Sequence, residues 1–410
     1  MKRYFGLIAA ALAVFTLAGC LGGAFTLGSA ANPPTDVKVV AGDGSVTVTW
    51  TMSPNVQYWV FSAMADAITT ETWSKLLSGR ATIKATSPQM ITGLANDFTY
   101  SFTVNGRIDG GAGGPGSPSV SVMPRLAGNT WSIGKALPSD LRSVAFGAVF
   151  VTVGASGTIY SSPDFNTWTP VTWTAVKNPL VTLPDLNAIA FGSTNYLAAG
   201  AGGSVLLSTD AVTWTAQTTG TTNTLYALTN NGTASAIAAG ANGTIITSAD
   251  GKTWTTANSG TTNDLFGLAY GNAVYVAVGA KGTMLTSVDG TTWLSAISNT
   301  TQKLTSIVYG INTTTGLGTF VAVGEAGTMI TSTDGTTWTV QTSVTANNLA
   351  SITYGKRFVA VGDKGTILTS SDGSTWQTQS SGTSDNLTSV GRSQVGYSAV
   401  GTNGTNLSSI

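Results

Sequence analysis

Six aspartates recur at one position of a repeating phrase: Asp164, Asp210, Asp250, Asp289, Asp334 and Asp372. Carboxylates in series can bind calcium, and two facing across a sugar can serve as the acid and base of a glycosidase. Neither chemistry suits this pattern. Each aspartate is followed by Thr-Trp, and four of them stand in Asp-Gly pairs. Aspartate accepts local backbone N–H bonds and glycine supplies positive φ, so the phrase is a turn with a tryptophan packed behind it. Copies distributed over six repeats do not converge on one substrate.

Other chemistry-bearing residues are few. The 410 residues contain no histidine, which excludes Ser-His-Asp and Cys-His catalysis and ordinary zinc sites. The one cysteine is Cys20, so no disulfide forms within the chain. Charged residues make up 9% and the formal net charge is zero, which leaves no electrostatic footprint for nucleic acid. The glycine-rich stretch Asp109 to Gly116 lacks the Lys-Ser/Thr of a phosphate loop and reads as a surface loop. From residue 129 onward the only arginines are Arg142, Arg357 and Arg392, and the only glutamate is Glu325. No cofactor and no metal is implied.

The elements that carry these residues repeat. Gly-x-x-Gly followed by Thr or Ser begins at Gly154, Gly200, Gly240, Gly279, Gly324, Gly362 and Gly401. A leucine opens each unit: Leu141, Leu186, Leu225, Leu265, Leu304, Leu349 and Leu387, at intervals of 38 to 45 residues. That period fits four short strands per unit, and the spacing predicts seven propeller blades. The Thr-Trp elements that recur once per unit, at Trp131, Trp168, Trp214, Trp254, Trp293, Trp338 and Trp376, are also seven, but out of phase. Trp131 precedes the first Gly-x-x-Gly, and no Thr-Trp follows the last. Residues 129 to 134 are therefore expected to supply the outer strand of the blade that starts at Leu387. Pairing of an N-terminal strand with the last blade would close the ring and remove its open edges.

Several stretches resemble known families. Lys2 and Arg3, an apolar run to Leu17, and Leu17-Ala18-Gly19-Cys20 resemble a bacterial lipoprotein signal with its lipobox. The resemblance implies cleavage after residue 19, lipid attachment at Cys20 and a tether to residue 32. Leu21 after the cysteine points to the outer membrane, on its periplasmic or surface-exposed side. Residues 33 to 125, with Pro33-Pro34, Trp50 and Leu94 six residues before Tyr100, resemble a fibronectin type III β-sandwich. The Asp-Gly-x-Thr-Trp phrases resemble the Asp boxes of the neuraminidase repeat, although the usual Asp-x-Gly order is changed here. Residues 129 to 410 as a whole resemble propellers of the photosystem II assembly-factor type. The expected fold is all-β, a small sandwich followed by a seven-bladed propeller.

In such a propeller the Gly-x-x-Gly turns and the inter-blade loops share one face, the expected recognition surface. The turn frame is constant while its insert varies, as at Ser156, Asn242, Lys281, Glu325, Asp363 with Lys364, and Asn403. Trp173, in the long inter-blade loop from Pro170 to Asp185, is either an exposed contact anchor or packed on the neighbouring blade. The insertion from Ile311 to Gly318 falls on the opposite face and reads as flexible. The functional expectation is a lipid-anchored, non-catalytic binding or scaffold protein of the cell envelope, recognising an envelope protein or polysaccharide. A carbohydrate-active enzyme of the sialidase or another glycosidase type is the alternative, and a structural surface spacer is the second.

Overall fold

The computed structural model describes residues 28–164, 167–173, 183–230, 235–313, 315–393 and 396–410. Cys20 and residues 174–182 of the long loop lie outside the described residues. The chain divides into two compact units. One is the chain up to Lys38 with Val48–Gln89 and Tyr100–Ser121; the other is Val39–Thr47, Met90–Thr99 and Val122–Ile410.

The first unit is built on Val56–Met64 and Tyr100–Ile108, paired antiparallel along their whole length. Ser29–Ala31 and Val120–Val122 join Tyr100–Ile108, and Arg80–Ala85 joins Val56–Met64. A separate three-stranded sheet, Lys38–Gly42, Ser45–Thr49 and Gln89–Thr92, is drawn mostly from residues of the second unit. Trp50 and Tyr100 are buried, and the Trp50 ring lies 5.6 Å from that of Tyr58. Both are core residues, not a ligand platform.

The second unit holds seven four-stranded antiparallel sheets among the described residues. They are blades 1 to 7, with innermost strands Leu141–Phe146, Leu186–Phe191, Leu225–Asn230, Leu265–Gly271, Leu304–Ile311, Leu349–Tyr354 and Leu387–Arg392. Each innermost strand packs beside that of the next blade, and Leu387–Arg392 packs beside Leu141–Phe146. The opening leucines are fully buried. They sit in apolar layers shared by consecutive blades, such as Ile237 and Ile245 of blade 3 against Leu265, Leu285 and Trp293 of blade 4. Second strands such as Phe358–Gly362 are buried along their whole length; apolar side chains on both of their faces allow a blade to be covered by two neighbours.

The aspartate phrases are turns. In blade 4, Asp289 Oδ1 accepts the N–H groups of Thr291 and Thr292 at 2.8 and 2.7 Å. Ser287 Oγ donates to the same carboxylate at 3.0 Å and accepts the Gly290 N–H at 2.8 Å. The Trp293 indole N–H donates to Gly290 O at 3.1 Å. Blades 3, 5 and 6 repeat this at Asp250, Asp334 and Asp372. The N–H groups of Thr213 and Val212 hold the Asp210 carboxyl at about 2. Burial pulls Asp372 upward, but the N–H groups of Thr375 and Ser374 outweigh it and hold it at about 2. Asp250, Asp289 and Asp334 are likewise lowered, chiefly by the N–H groups of Thr253, Thr292 and Thr337. A carboxylate whose folded value lies below its unfolded one stabilises the fold above the unfolded value and loses that contribution as pH falls through the folded value. The melting temperature is therefore expected to be level from pH 7 to 5 and to fall between about pH 4 and pH 2. Thermal unfolding across that range checks it, and a level profile down to pH 2 would count against these turns as stabilising elements.

Blade 7 takes its fourth strand from the other end of the unit. Ser132–Ile133 pairs with Asn406–Ser409 in the register Leu407↔Ile133 and Ser408↔Ser132. The junction begins earlier in the chain than residue 129. The Gly128 N–H donates to Ser409 Oγ at 2.7 Å, and the Trp131 indole N–H donates to Gly128 O at 2.9 Å. These are the bonds of Gly290 to Ser287 and of Trp293 to Gly290. The seventh turn is thus assembled from Ser409 and Ile410 followed by Ala127 and Gly128, with alanine in the aspartate's place.

The insertion in blade 5 is held where flexibility was expected. Asn312 Nδ2 donates to Asp372 O at 3.1 Å, and the Thr313 N–H donates to Ser371 O at 3.0 Å. Its described residues are fastened to the aspartate turn of blade 6.

Candidate functional site

Each Gly-x-x-Gly run is a tight turn between the second and third strands. Its middle residue is left-handed in every blade: Ser156, Gly202, Asn242, Lys281, Ala326, Lys364 and Asn403, with φ between 52 and 65°. Five of these turns are clasped by the next blade. The Ser156 N–H donates to Asp185 Oδ1 at 2.8 Å, Asn242 to Asp264 at 2.8 Å and Ala326 to Asn348 at 2.9 Å. Lys364 donates to Asn386 at 3.0 Å, and Asn403 to Asp140 at 2.8 Å. The clasping residue is the one before the opening leucine, and its own carbonyl accepts from its own blade's turn, as Asp185 O does from the Ala201 N–H. One residue therefore fixes two consecutive turns, the preceding one through its side chain and its own through its carbonyl.

A second ring lies one residue after the opening leucine. In every blade the ladder shifts register between the leucine and the second residue after it. A bulge leaves one residue unpaired and re-aims its side chain. The bulged residues are Arg142, Asn187, Tyr226, Phe266, Thr305, Ala350 and Thr388. All line a cavity of about 160 Å³ enclosed by the innermost strands, at the end of the channel beside the Gly-x-x-Gly turns. Their side chains lace the seams. Arg142 Nη1 donates to Asn187 Oδ1 at 2.7 Å and Nη2 pairs with Asp185 Oδ2 at 2.8 Å. Asn187 Nδ2 donates to Leu225 O at 3.0 Å. Thr305 Oγ1 donates to Leu349 O at 2.6 Å, and Thr388 Oγ1 to Leu141 O at 2.7 Å. Tyr226 and Phe266 instead bring their rings to 5.0 Å at an angle of 35°. The Ser156 N–H, aided by the Arg142 guanidinium, holds the Asp185 carboxyl below the ordinary carboxylate value.

Of the two readings of Trp173, the structure shows the packed one. It is buried, and its indole N–H donates to Gly157 O at 2.8 Å. It belongs to the apolar layer between blades 1 and 2, where it meets Ile159, Leu186 and Leu183. An indole held this way offers no contact anchor. Asn242, Lys281, Lys364 and Asn403 stand exposed on the turn crests. Glu325 lies 3.7 Å from Lys303, and Asp363 accepts from Asn348 Nδ2 at 2.9 Å. The bulged residues went unnoticed in the sequence, although the signal was present: a constant leucine followed by a position with six residue types in seven units.

The three arginines of the ring do not converge. Arg142 is at the mouth, Arg357 is buried with Nη1 bonded to Asn129, and Arg392 ends the innermost strand of blade 7 at the far end of the channel. Of the carboxylates beside the mouth, the clasp residues Asp140, Asp185 and Asp264 belong to different blades and each accepts a turn N–H, while Asp185 and Glu325 also face a cation. This arrangement suits binding through main-chain and amide groups better than acid–base chemistry.

Comparison with known proteins yields matches by structure only. No family model matches the chain, and no curated protein matches it by sequence. A solved structure described as YCF48 bound to D1 peptide superposes with a TM-score of 0.56 at 18% identity, covering 69% of this chain and 95% of that one. YCF48 from Cyanidioschyzon merolae gives 0.55 at 18% identity, covering 68% and 98%. The fold is a β-propeller. At this identity the likeness carries the architecture, and the channel mouth described above is read from this chain's own residues.

Proposed function

We propose that the chain is a non-catalytic binding protein of assembly or scaffold type, and that its channel mouth takes a segment of another protein. The observation that carries this is the bulge repeated in all seven blades, which turns seven variable side chains and unpaired main chain into one cavity. A propeller of similar fold has a peptide bound, which agrees with that reading. The place of action rests on the N-terminal residues: the Leu17-to-Cys20 motif supports lipid attachment at Cys20 and an envelope location, with an envelope protein as the partner.

Site-specific cross-linking tests the reading. A photoreactive phenylalanine placed at Ala350, which lines the mouth without a side-chain hydrogen bond, is expected to give a discrete protease-sensitive adduct in envelope extract. The same group at exposed Thr256 of an outer strand is expected to give none. No adduct at Ala350, or equal adducts at both positions, would remove the mouth from the account. A protease-resistant adduct would replace the protein partner by a glycan.

A further inference from the structure

We infer that the sector of the mouth formed by blades 3 to 5 sets specificity and takes an acidic peptide segment bearing a bulky apolar side chain. The inference rests on the protein-segment reading above and deepens it.

The repeat has a structural reason at nearly every position, so residues that depart from it stand out. Two kinds of departure meet in this sector. At the bulge, blades 1, 2, 5 and 7 use Arg, Asn, Thr and Thr, whose polar groups bond across a seam. Blades 3 and 4 carry Tyr226 and Phe266, which make no such bond and leave two partly exposed rings on one wall. The other departure is at the clasp. Five blades place Asp or Asn there, whereas blade 5 has Lys303, which cannot accept the Lys281 N–H of the preceding turn. Lys303 instead extends over the Phe266 ring, with Nζ 4.4 Å from its centre. Its contact with Glu325 is 3.7 Å long, and both side chains remain more than a third exposed.

The turn bearing exposed Lys281 packs against the start of blade 5's innermost strand, next to Lys303. The sector thus offers two cations, an aromatic wall, one loosely held carboxylate, Glu325, and a second carboxylate, Asp264, that is committed to the Asn242 N–H. A ligand carboxylate can displace Glu325 from Lys303, while an apolar side chain covers Tyr226 and Phe266. Covering the rings also removes water from the Lys303–Phe266 contact, where a cation over an aromatic face gains strength.

The test is selection of random phage-displayed peptides on the intact protein, followed by fluorescence anisotropy with the enriched peptide. Enriched sequences are expected to combine Asp or Glu with Phe, Trp or Leu. Affinity is expected to fall about tenfold in Phe266→Ala and by a lesser factor in Lys303→Gln, with a weaker salt dependence in the latter. Phe266→Leu preserves bulk against the strand, so retention of its melting temperature with loss of affinity separates recognition from folding. An empty or unbiased selection, or affinity unchanged in Phe266→Ala and Lys303→Gln, overturns the inference. If the Ala350 adduct persists in those circumstances, the partner-binding reading survives without it; if that adduct is absent as well, both fall.

Discussion

Deleting residues 129–140 lowers the melting temperature of the ring and leaves blade 7 without its outer strand. The deleted residues include Trp131, buried with Val361, Ile367, Leu387 and Leu407 between blades 6 and 7. Burial of that ring contributes about 2–3 kcal/mol. Also lost are the two-residue ladder, the Gly134 and Leu137 N–H bonds to Asn406 O and Gly404 O, both 2.9 Å, and the Asp140 clasp on Asn403. Backbone bonds contribute about 1 kcal/mol each, so the deletion is expected to cost more than about 5 kcal/mol. Trp131→Ala alone is expected to cost about 3–5 kcal/mol, as much as Trp338→Ala in an uninterrupted blade. Differential scanning calorimetry decides the matter. A deletion variant that melts like the parent would show that the ring does not depend on its junction.

The second large effect concerns the last glycine of a turn. A Cβ on Gly282 would stand 1.9 Å from Thr300 O, and φ there is +68°. Gly282→Ala combines left-handed strain of about 1–2 kcal/mol with a backbone overlap that the turn cannot relieve without moving the inter-blade loop. A loss above about 3 kcal/mol is expected, a fall in melting temperature of roughly 6 °C or more. Gly202→Ala is the companion measurement. Gly202 has φ +65° but nothing within 4 Å of the position a Cβ would take. Its cost is expected to stay near about 1 kcal/mol. Equal effects at the two positions would mean that conformation alone, and not the close approach of the next loop, explains the constant glycine.

Much of this architecture was legible because it repeats. The leucines mark the buried start of each innermost strand, the glycines mark the turns, and the phase difference between Trp131 and the Gly-x-x-Gly runs located the shared blade. The turn assembled from Ser409 and Gly128 was missed because its aspartate is replaced by Ala127, so the phrase has no recognisable form on either side of the break. The clasp by Asp140, Asp185, Asp264, Asn348 and Asn386 was hidden for another reason. It joins residues on consecutive blades, and no local pattern tells which side chain reaches which backbone N–H. Trp173 shows the limit of composition: an aromatic residue in a long loop reads equally well as an anchor or as packing, and its bond to Gly157 O exists only in three dimensions. The channel mouth depends on bulges, whose position is set by strand pairing rather than by residue type.

The bond from Gly128 to Ser409 spans 281 positions of the chain. At a synthesis rate of about 5–20 residues per second, the first partner waits roughly 14–56 s for the second to be made. In the course of that interval six blades can form and stack, yet one sheet edge of the growing array has nothing to pair with. Bare edges of this kind recruit other chains. The nascent protein therefore has a period of vulnerability set by the sequence distance between the two halves of blade 7, and a factor that shields a strand edge would matter most just before Asn406–Ser409 emerges.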